Sequence, residues 1–372
     1  MSTHASRLRV AIVAPTLEIL GGHSVQAAAM LAGWQHDPDV DAWLVPINPA
    51  PPAWLARVAR IPYVRTLVTQ ASYWPLLWRE LRRADVVHVF SASYTSFLLA
   101  PLPAWLVARA LGKPVLLNYH SGEAADHLGR SRLARAVLRR VGTTIVPSRF
   151  LVEVFARFGL AAQAIANVID RERFAFRRRG PIRPRLLSTR NFEPNYNVAC
   201  TLRAFARVQA RHPDATLTVV GAGSEAPALQ ALAVSLGLRG VTFAGRVAPA
   251  EIARYYADAD VYVQTPAVDN MPLSVLEAFA SGLPVVSTDV GGVRAMLTDG
   301  VHGLLAPPDD DVAIADRICR LLEEPGLGDR LAEAARRETD AYVWDAVRDR
   351  WAGAYARLVP PAMSPVAAPE HS

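Results

Sequence analysis

Residues 269–286 read DNMPLSVLEAFASGLPVV and connect two apolar runs that are rich in valine. The runs cover residues 261–264 and 284–287, and continuous apolar runs of this length are typical of strands buried on both faces. Between them, residues 273–281 are almost wholly apolar, and Gly282 supplies a common helix stop. A strand, a helix and a second strand in this order predict one unit of a parallel sheet.

The same alternation of short apolar runs and longer amphipathic segments continues along the rest of the chain. The predicted strands are residues 9–14, 42–47, 85–90, 114–118, 143–146, 185–188, 215–220, 241–244, 261–264 and 284–287. The predicted helices are residues 24–34, 76–83, 97–111, 131–140, 148–158, 198–211, 226–236, 249–256, 273–281 and 312–323. This alternation predicts an α/β fold. Because the series runs twice, we expect two Rossmann-like domains whose parallel sheets face each other across a cleft.

The chain is long enough for two hydrophobic cores, because a single core rarely grows beyond about 250–300 residues. It has 372 residues, and the charged Gly/Pro stretch from Arg177 to Pro181 suits a connection between domains. We therefore predict a first domain over residues 1–178 and a second over residues 179–342. A last helix over residues 343–358 is expected to pack back on the first domain. The Pro- and Ala-rich residues 359–372 predict a disordered tail.

Composition indicates a globular protein of a reducing compartment. Hydrophobic residues make up 51% of the chain and charged residues 20%, which favours a packed core over disorder. The two cysteines, Cys200 and Cys319, form neither a disulfide framework nor a metal-ligand pattern. The apolar run before Glu18 is too short for a signal peptide, so we predict a cytoplasmic protein.

One uncharged stretch, residues 86–108, is long enough to cross a bilayer, which takes about 20 residues. It contains His88, several hydroxyl side chains, and the prolines Pro101 and Pro103. This polar content predicts a buried strand, a loop and a short helix rather than a membrane-spanning segment.

Positive charge is concentrated in the first half of the chain. Residues 1–180 carry 22 Lys and Arg against 11 Asp and Glu, although the net charge of the whole chain is only +6. Aromatic and basic residues alternate between residues 54 and 83, and further arginines recur at helical spacing. They are Trp54, Arg57, Arg60, Tyr63, Arg65, Tyr73, Trp74, Trp78, Arg79, Arg82 and Arg83, with Arg132, Arg135 and Arg139.

Mixed aromatic and basic faces suit anionic lipid headgroups, so we expect a peripheral position at the inner membrane face. A solvated arginine-rich face explains any single one of these helices equally well. No motif of a nucleic-acid-binding module occurs in the sequence, and we expect no nucleic-acid partner.

Two glycine-containing loops follow predicted strands. Gly21 and Gly22 precede Ser24, a residue type that favours the N-cap of a helix, and Gly221 and Gly223 follow a valine-rich strand. Glycine lets the backbone approach a ligand closely, although an ordinary tight turn explains the first loop equally well. The second loop lacks the acid about twenty residues later that a dinucleotide site needs. It therefore predicts a nucleotide-facing loop rather than an NAD site.

Two acids frame the stretch quoted first. Asp269 lies in a loop after the strand that ends at Gln264, and Glu277 lies eight residues later on an apolar helix. A carboxylate can accept hydrogen bonds from both hydroxyls of a ribose, and N–H groups at a helix start bind phosphate. The alternative, a capping residue and a surface glutamate, fits less well because an unpaired charge on an apolar helix is costly.

These residues resemble the signature of the retaining glycosyltransferase family 4, which has the GT-B fold. That signature is an acid, seven residues and a Glu, followed by Ala-x-Ala-x-Gly-x-Pro-Val-Val. Here Asp269 stands where the family usually has Glu, and Glu277 is followed by residues 278–286. Further matching pieces occur in order at Gly21-Gly22, Tyr119-His120-Ser121-Gly122, Val146-Pro147-Ser148, Asn167–Asp170, Val220–Gly223, Val241–Gly245 and Asp289–Gly292. The ordered set covers nearly the whole chain and implies a GT-B glycosyltransferase.

The resemblance implies a role for each matched position. Glu277 would bind the ribose of the nucleotide, Arg190 would pair with the diphosphate, and His120 would lie beside the donor sugar and the reacting centre. The donor sugar and phosphates would contact Asp269 and the backbone of Asn270, Met271, Pro272 and Leu273, and the base would lie against Arg246 and Val247. By its spacing alone, His120 fits a packed core histidine better, but its position in a loop at a strand end that faces the crevice favours a site residue.

A bound metal and a cofactor are not expected. No Asp-x-Asp cluster suited to a metal–diphosphate complex follows a strand, and the run Asp309–Asp311 reads as a helix cap. The family usually has Lys five residues after the arginine, but this chain has Asn195, and its single lysine is Lys113. The missing charge is then replaced by helix N-termini beside Arg190, or by another arginine such as Arg246 or Arg294.

The leading hypothesis is a retaining hexosyltransferase. It takes a sugar from a nucleoside-diphosphate donor to a glycan or lipid-linked acceptor at the inner membrane face. One alternative is a sugar-nucleotide epimerase, which needs extra acid/base residues in the cleft, and His120 and Glu123 are the few candidates. A second alternative is a binding subunit without turnover, which the replacements at Asn195 and Asp269 suggest.

Overall fold

A computed structural model describes residues 7–19, 21–51, 61 and 64–359 of the chain. Within these residues, the strands form two six-stranded sheets, and all strand pairs in both sheets are parallel. The predicted α/β fold with two parallel sheets is confirmed. The predicted tail from residue 360 onward lies outside the described residues, as do Trp54, Arg57, Arg60 and Tyr63.

The first sheet and its helices occupy the first half of the chain. The elements are β1 (Leu8–Ala14), α1 (Gly22–Trp34), β2 (Val40–Pro46), α2 (Val64–Leu81), β3 (Val86–Ser91), α3 (Tyr94–Leu99), α4 (Pro101–Ala110), β4 (Val115–Tyr119), α5 (Ala124–Arg130), α6 (Arg132–Leu138), β5 (Thr143–Val146), α7 (Arg149–Arg157) and β6 (Gln163–Ala164). The strand order is β2-β1-β3-β4-β5-β6.

The second sheet repeats the design. The elements are β7 (Arg185–Ser188), α8 (Val198–Arg211), β8 (Thr216–Val220), α9 (Ala226–Ser235), β9 (Val241–Gly245), α10 (Ile252–Asp258), β10 (Val261–Gln264), α11 (Leu273–Ser281), β11 (Val285–Thr288), α12 (Val293–Met296), β12 (Leu304–Ala306), α13 (Asp311–Glu323), α14 (Leu327–Glu338) and α15 (Trp344–Ala356). The strand order is β12-β11-β10-β7-β8-β9, so the order of winding reverses between β7 and β10.

Both faces of the first sheet are covered by helices. On β1, Val10 and Ile12 pack toward α1 and α15, whereas Ala11 and Val13 pack toward α2 and α4. Successive side chains of a strand point to opposite faces, so a strand covered on both sides must be apolar at every position. This is the physical reason why the strands read as continuous apolar runs in the sequence.

The last helix, α15, crosses back and packs on the first domain. Val347 and Trp351 are buried in the same cluster as Val10 and Trp34, and the Tyr355 hydroxyl lies 2.7 Å from Nδ1 of His88. At the surface, Arg348 donates to both carboxylate oxygens of Asp37, at 2.9 and 3.0 Å. The first domain is therefore completed by the final turns of the chain.

The chain passes from the first core to the second between Val168 and Ile169, because these neighbours belong to different hydrophobic clusters. This crossing lies ahead of the boundary expected at residue 178. Within the charged stretch expected to connect the domains, Arg178 and Gly180 are exposed but Arg179 is held by the second domain. Its guanidinium is buried and donates to the carbonyl oxygens of Ala259 and Tyr256, each at 2.8 Å.

Several helices differ from the sequence prediction. The predicted helix 97–111 is two helices broken at Ala100, because Pro101 lacks an N–H and starts the second helix at its first position. The predicted helix 76–83 is the end of α2, which contains Pro75 in its interior. Ser24 is not an N-cap: it lies inside α1, and its hydroxyl donates to the carbonyl oxygens of Ile19 and Gly21.

Other elements were not predicted, namely α5, α12, α14, β6 and β12, which are short or highly charged. Residues 86–108 form β3, α3 and most of α4, in agreement with the expected strand, loop and helix. Among the residues that the structure describes, no helix combines the length and the apolar character needed to cross a bilayer.

Candidate active site

A cleft of about 410 Å³ lies where the two domains meet, at the carboxyl ends of strands from both sheets. All of the predicted site residues except Asn195 line it. They are Gly21, Gly22, His120, Arg190, Gly221, Gly223, Arg246, Val247, Asp269, Asn270, Met271, Pro272, Leu273 and Glu277. Open parallel sheets place ligands at this edge because the loops after several strands converge there.

Arg190 and Asp269 form an ion pair in the wall of the cleft. Arg190 follows β7 and is only 8% exposed; its Nη2 lies 2.6 Å from Oδ2 of Asp269, and its Nη1 donates to Oγ of Ser274 at 3.0 Å. The guanidinium also stacks 4.1 Å from the centre of the Tyr196 ring. Burial disfavours its charge, but Asp269 and the surrounding tyrosines outweigh burial, so the pKa of Arg190 is raised.

Arg190 therefore stays charged and fixed in one orientation. A guanidinium has five N–H donors, and the two protein contacts of its terminal nitrogens leave others available for a ligand. Its Nε has no partner among the described residues. A rigid cation with unused donors suits an anionic ligand.

Glu277 lies on α11, facing the cleft, and accepts a hydrogen bond of 2.7 Å from the Tyr256 hydroxyl. The same tyrosine oxygen lies 2.7 Å from Oγ1 of Thr189. Burial raises the pKa of Glu277, while the bond from Tyr256 and the charges of Arg173 and Arg190 act in the opposite direction. One carboxylate oxygen is thus held by the protein, and the other can accept from a ligand hydroxyl.

The start of α11 offers backbone donors. Helix α11 begins at Leu273, and its N-cap, Pro272, has no side chain that could cap the first turn. In the preceding loop, Asp269 accepts from the backbone N–H of Asn270 at 2.8 Å. The uncapped N–H groups at the start of a helix attract anions, so this end of α11 suits phosphate oxygens.

Contacts from the first domain hold this loop in place. The side-chain amide of Asn167 donates to the carbonyl oxygen of Met271 at 2.9 Å, and the Ser148 hydroxyl donates to Asn270. A Cβ added to Gly122 would lie only 3.3 Å from the Asp269 backbone. The loop that carries the acid is therefore shaped by both domains.

His120 follows β4 and is half-buried on the first-domain side of the cleft. Its ring stacks on Phe90 at 5.2 Å and meets His23 edge-on, also at 5.2 Å. Burial lowers the pKa of His120 well below its ordinary value, and the neighbouring His23 and His88 lower it further. His120 is therefore uncharged at neutral pH, and its Nε2 has no partner among the described residues.

The two glycines of the second loop, which lines the cleft, also have a packing role. A Cβ at Gly221 would come within 2.1 Å of the Arg190 carbonyl oxygen, and one at Gly223 within 2.3 Å of the Phe192 carbonyl oxygen. Nearby, Glu193 accepts hydrogen bonds from the N–H and the hydroxyl of Ser224, at 3.1 and 2.7 Å. These glycines allow the backbone that carries Arg190 to approach β8 closely.

Asn195 does not line the cleft, and its carbonyl oxygen accepts from Ala267 at 2.9 Å. Of the two arginines considered as replacements for the family lysine, Arg246 lines the cleft. Arg294 does not, and it pairs with Asp289 instead. Arg173, which had no signal in the sequence motifs, also lines the cleft.

Sequence reasoning missed further residues of the cleft wall, and some of them had a signal in the sequence. His23 follows the Gly21-Gly22 pair directly, and Glu193 and Tyr196 lie within six residues of Arg190. Loop residues next to matched motifs are candidates for the same site, because the loop brings them to the same strand end.

A group of potential metal ligands lies outside the cleft and consists of His212, directly after α8, and Cys319 and Glu323 on α13. The Arg211 guanidinium already donates to both oxygens of Glu323, at 2.8 and 2.9 Å. A cation there would have to displace this arginine, so the group reads as part of a surface ion-pair network.

Two parallel-sheet domains that share a cleft at the carboxyl ends of their strands define the GT-B class of glycosyltransferases. A solved structure of the same architecture is HepE from Anabaena in complex with UDP-glucose. It matches with a TM-score of 0.76 and 17% identity over 95% of this chain and 100% of that one.

Sequence comparison identifies the family. A family model described as Glycosyltransferase Family 4 matches residues 21–173, and one described as Glycosyl transferases group 1 matches residues 183–324. The two matches together extend over both domains, and the chain belongs to glycosyltransferase family 4. The protein is thus a glycosyltransferase that uses a nucleotide-sugar donor.

The names of two relatives point to two different classes of acceptor for those proteins. The chain is 27% identical to phosphatidyl-myo-inositol mannosyltransferase of Mycobacterium tuberculosis, over 91% of this chain and 94% of that protein. It is 29% identical to glycogen synthase of the same organism, over 73% of this chain and 69% of that protein. One name contains a lipid and the other a polysaccharide, so similarity alone leaves the acceptor open.

Proposed function

We propose that this protein transfers a hexosyl group from a nucleoside-diphosphate sugar, with retention of the anomeric configuration. The acceptor is a lipid-linked sugar or glycan precursor at the inner face of the cytoplasmic membrane. The observation that carries the proposal is the arrangement of Glu277, Arg190 and the uncapped start of α11 around one cleft.

These groups match the parts of a nucleotide-sugar donor. The free oxygen of Glu277 would accept from the ribose hydroxyls, and Arg190 with the α11 N-terminus would bind the diphosphate. Arg173 and Arg246 add positive charge on the same wall and stand in for the lysine that is replaced by Asn195. We infer that these groups, and not a metal ion, stabilise the negative charge that develops on the leaving diphosphate.

Retention requires the acceptor hydroxyl to attack the face from which the diphosphate departs, unless a covalent intermediate forms. The acceptor oxygen would bond to the anomeric carbon while the bond from that carbon to the phosphate oxygen breaks. The hydroxyl proton would pass to the departing phosphate oxygen. His120, uncharged and beside the sugar position, would orient the reacting groups rather than form a covalent intermediate.

The membrane part of the proposal rests on the outer face of α2. Leu67, Trp74 and Trp78 are 71%, 42% and 40% exposed, and their spacing of seven and four residues places them on one side of the helix. Exposed arginines follow at Arg79 and Arg82. An apolar stripe beside arginines is the arrangement by which interfacial helices bind anionic bilayers, and a lipid-linked acceptor would be presented there.

Arg135, which the sequence placed among the lipid-binding arginines, has another role. It donates to the carbonyl oxygens of Leu128 and Gly129 at the end of α5. It therefore caps a neighbouring helix instead of facing a membrane.

A donor screen tests the function. The protein is incubated with UDP- and GDP-hexoses and a membrane lipid extract, and the anomeric configuration of the glycolipid product is determined by NMR. We expect transfer from one donor with retained configuration. An inverted product would contradict the proposed mechanism, and the absence of transfer to any extracted lipid would contradict the proposed acceptor class.

The same screen separates the two alternative functions. An epimerase would isomerise the donor sugar without an acceptor, and a binding subunit would bind the donor tightly in calorimetry without turnover. His120 and Glu123 remain the acid/base candidates for the first of these. The transferase proposal predicts only slow donor hydrolysis when no acceptor is present.

A further inference from the structure

His23 occupies a position in the cleft that none of the family motifs quoted above contains. It lies in the first turn of α1, directly after the Gly21-Gly22 loop, and lines the cleft. Its ring centre is 5.2 Å from that of His120, with an interplanar angle of 64°. The two rings thus form an edge-to-face pair on the first-domain wall.

The nitrogens of this pair are available to a ligand. Nε2 of His120 is buried without a partner among the described residues, and the half-buried His23 lines the same cleft beside it. Burial lowers the pKa of both imidazoles, that of His23 to about 4. A neutral imidazole carries one donor and one acceptor nitrogen, and leaving these unpaired in a buried site is unfavourable.

The pair faces the donor site from the opposite domain. Gly22 lies against the start of α11, because a Cβ added to this glycine would be 3.9 Å from Cδ1 of Leu273. The groups that would bind the donor, Arg190 and Glu277, both belong to the second domain. A polar pair on the first-domain side therefore lies where the acceptor must approach.

We propose that His23, together with His120, binds the attacking hydroxyl of the acceptor and holds it at the anomeric carbon of the donor. This inference rests on the proposed function. The N–H of the neutral His23 ring donates a hydrogen bond to the hydroxyl oxygen and aligns it. The hydroxyl proton then passes to the departing phosphate oxygen as the new glycosidic bond forms and the bond between the anomeric carbon and that phosphate oxygen breaks. His23 is then a specificity-determining residue for the acceptor, with no part in donor binding.

Three variants separate hydrogen bonding at this position from packing. His23→Phe keeps a ring against His120 and removes both nitrogens, and His23→Asn keeps a neutral donor and acceptor without the ring. His302→Phe makes the same exchange outside the cleft and serves as the control. Each variant is assayed with the donor found in the screen and the membrane lipid extract as acceptor.

We expect His23→Phe to lower kcat/KM for the lipid acceptor by about ten-fold or more, the usual effect of losing a buried hydrogen bond to a substrate. His23→Asn recovers part of this loss. Donor hydrolysis and the calorimetric affinity for UDP or GDP stay within about two-fold of the parent protein, because no donor contact is removed.

The inference is overturned if His23→Phe transfers the sugar as well as the parent protein, or if donor affinity falls as much as transfer does. Failure of the proposed function looks different. In that case the parent protein itself binds no nucleoside diphosphate or transfers no sugar to the extract, whichever residue stands at position 23.

Discussion

At the residue scale, the cleft depends on charges that are held in place by other protein groups. Arg190 is oriented by Asp269 and Ser274, and Glu277 is oriented by Tyr256. Such prior orientation means that little rearrangement is needed when a charged ligand binds, and this increases the electrostatic contribution of each group. Removal of Arg190 also leaves the Asp269 carboxylate unpaired in a largely buried position, so the folding of such a variant must be verified alongside its activity.

We predict that Arg190→Ala and Glu277→Ala each cost about 2–4 kcal/mol of transition-state stabilisation, the range for loss of a preorganised charged contact. The measurement is kcat/KM for the donor, with thermal unfolding to verify that the variants are folded. Arg294→Ala removes an arginine from outside the cleft and is the matched control. Equal effects of Arg190→Ala and Arg294→Ala would contradict the assignment.

A second residue-scale prediction concerns His88, which is fully buried under α15 beside Tyr355. Burial lowers the pKa of His88 to about 3. At pH values between these two pKa values, the folded one and the ordinary one near 6.5, His88 is protonated in the unfolded chain but not in the folded chain. The free energy of unfolding therefore falls as the pH is lowered. At pH 5, His88 alone lowers the free energy of unfolding by about 2 kcal/mol relative to neutral pH.

The measurement compares urea unfolding at pH 7.5 and pH 5 for the parent protein and for His88→Phe. The free-energy difference between the two pH values should shrink by about 2 kcal/mol in the variant, whatever the variant does to stability at neutral pH. An unchanged difference would show that His88 does not titrate in this way.

At the scale of elements, α2 has two unlike sides. Tyr73 and Leu77 are buried against the first sheet, whereas Leu67, Trp74 and Trp78 are exposed on the outside. When a helix has apolar residues on both sides, those on the outer side are exposed to water, which is unfavourable unless a partner covers them. Arginines border that face, and it is the face that the proposed function places at the membrane surface.

We predict that the protein co-sediments with vesicles containing anionic lipid and that binding weakens with salt, because charges at a bilayer surface are screened. Replacing Arg79, Arg82 and Arg83 together by Gln should lower vesicle affinity by roughly ten-fold or more, since each cation near the surface adds about 1 kcal/mol. Part of this charge is already paired, because Arg79 and Arg83 both contact Glu80.

The matched control replaces three exposed arginines of the first domain that lie outside the predicted lipid-binding set, Arg140, Arg149 and Arg157, by Gln. This set removes the same formal charge but leaves α2 intact. Equal losses from both sets would indicate a diffuse electrostatic attraction, and equal binding to neutral vesicles would refute the interfacial face.

At the scale of the whole molecule, the fold of the first domain depends on the end of the chain. Helix α15 supplies Trp351 and Tyr355 to a core that is otherwise built from residues up to Val168. The two domains are thus linked twice, once by the passage between Val168 and Ile169 and once by the return of α15.

We predict that Trp351→Ala destabilises the protein by about 3–5 kcal/mol, because Trp351 is 2% exposed and its removal leaves a cavity between α15 and the first sheet. Trp78→Ala, at the exposed outer face of α2, should change stability by about 0.5 kcal/mol or less. Chemical denaturation of both variants measures this. Similar losses for the two tryptophans would contradict the packing of α15 described here.

Much of the fold follows from local pattern. Valine-rich runs are typical of strands buried on both faces, and they alternate along the chain with helical segments. The two parallel sheets could therefore be predicted without any knowledge of tertiary contacts. The spacing of Asp269 and Glu277 is likewise local, since both belong to one strand–loop–helix unit. Helix ends were less predictable, because proline has no single outcome: Pro101 starts a new helix, whereas Pro75 lies inside α2.

The remaining features exist only in the folded molecule. The Arg190–Asp269 pair joins residues 79 positions apart, and the bond between His88 and Tyr355 joins residues 267 positions apart. His23 meets His120 because both follow strands that end at the same edge of one sheet. The sequence by itself determined most of the helices and strands, the sheet type and the motif that identifies the family. Tertiary structure decided which side chains share the cleft and which charges are paired, because those contacts depend on how distant segments pack.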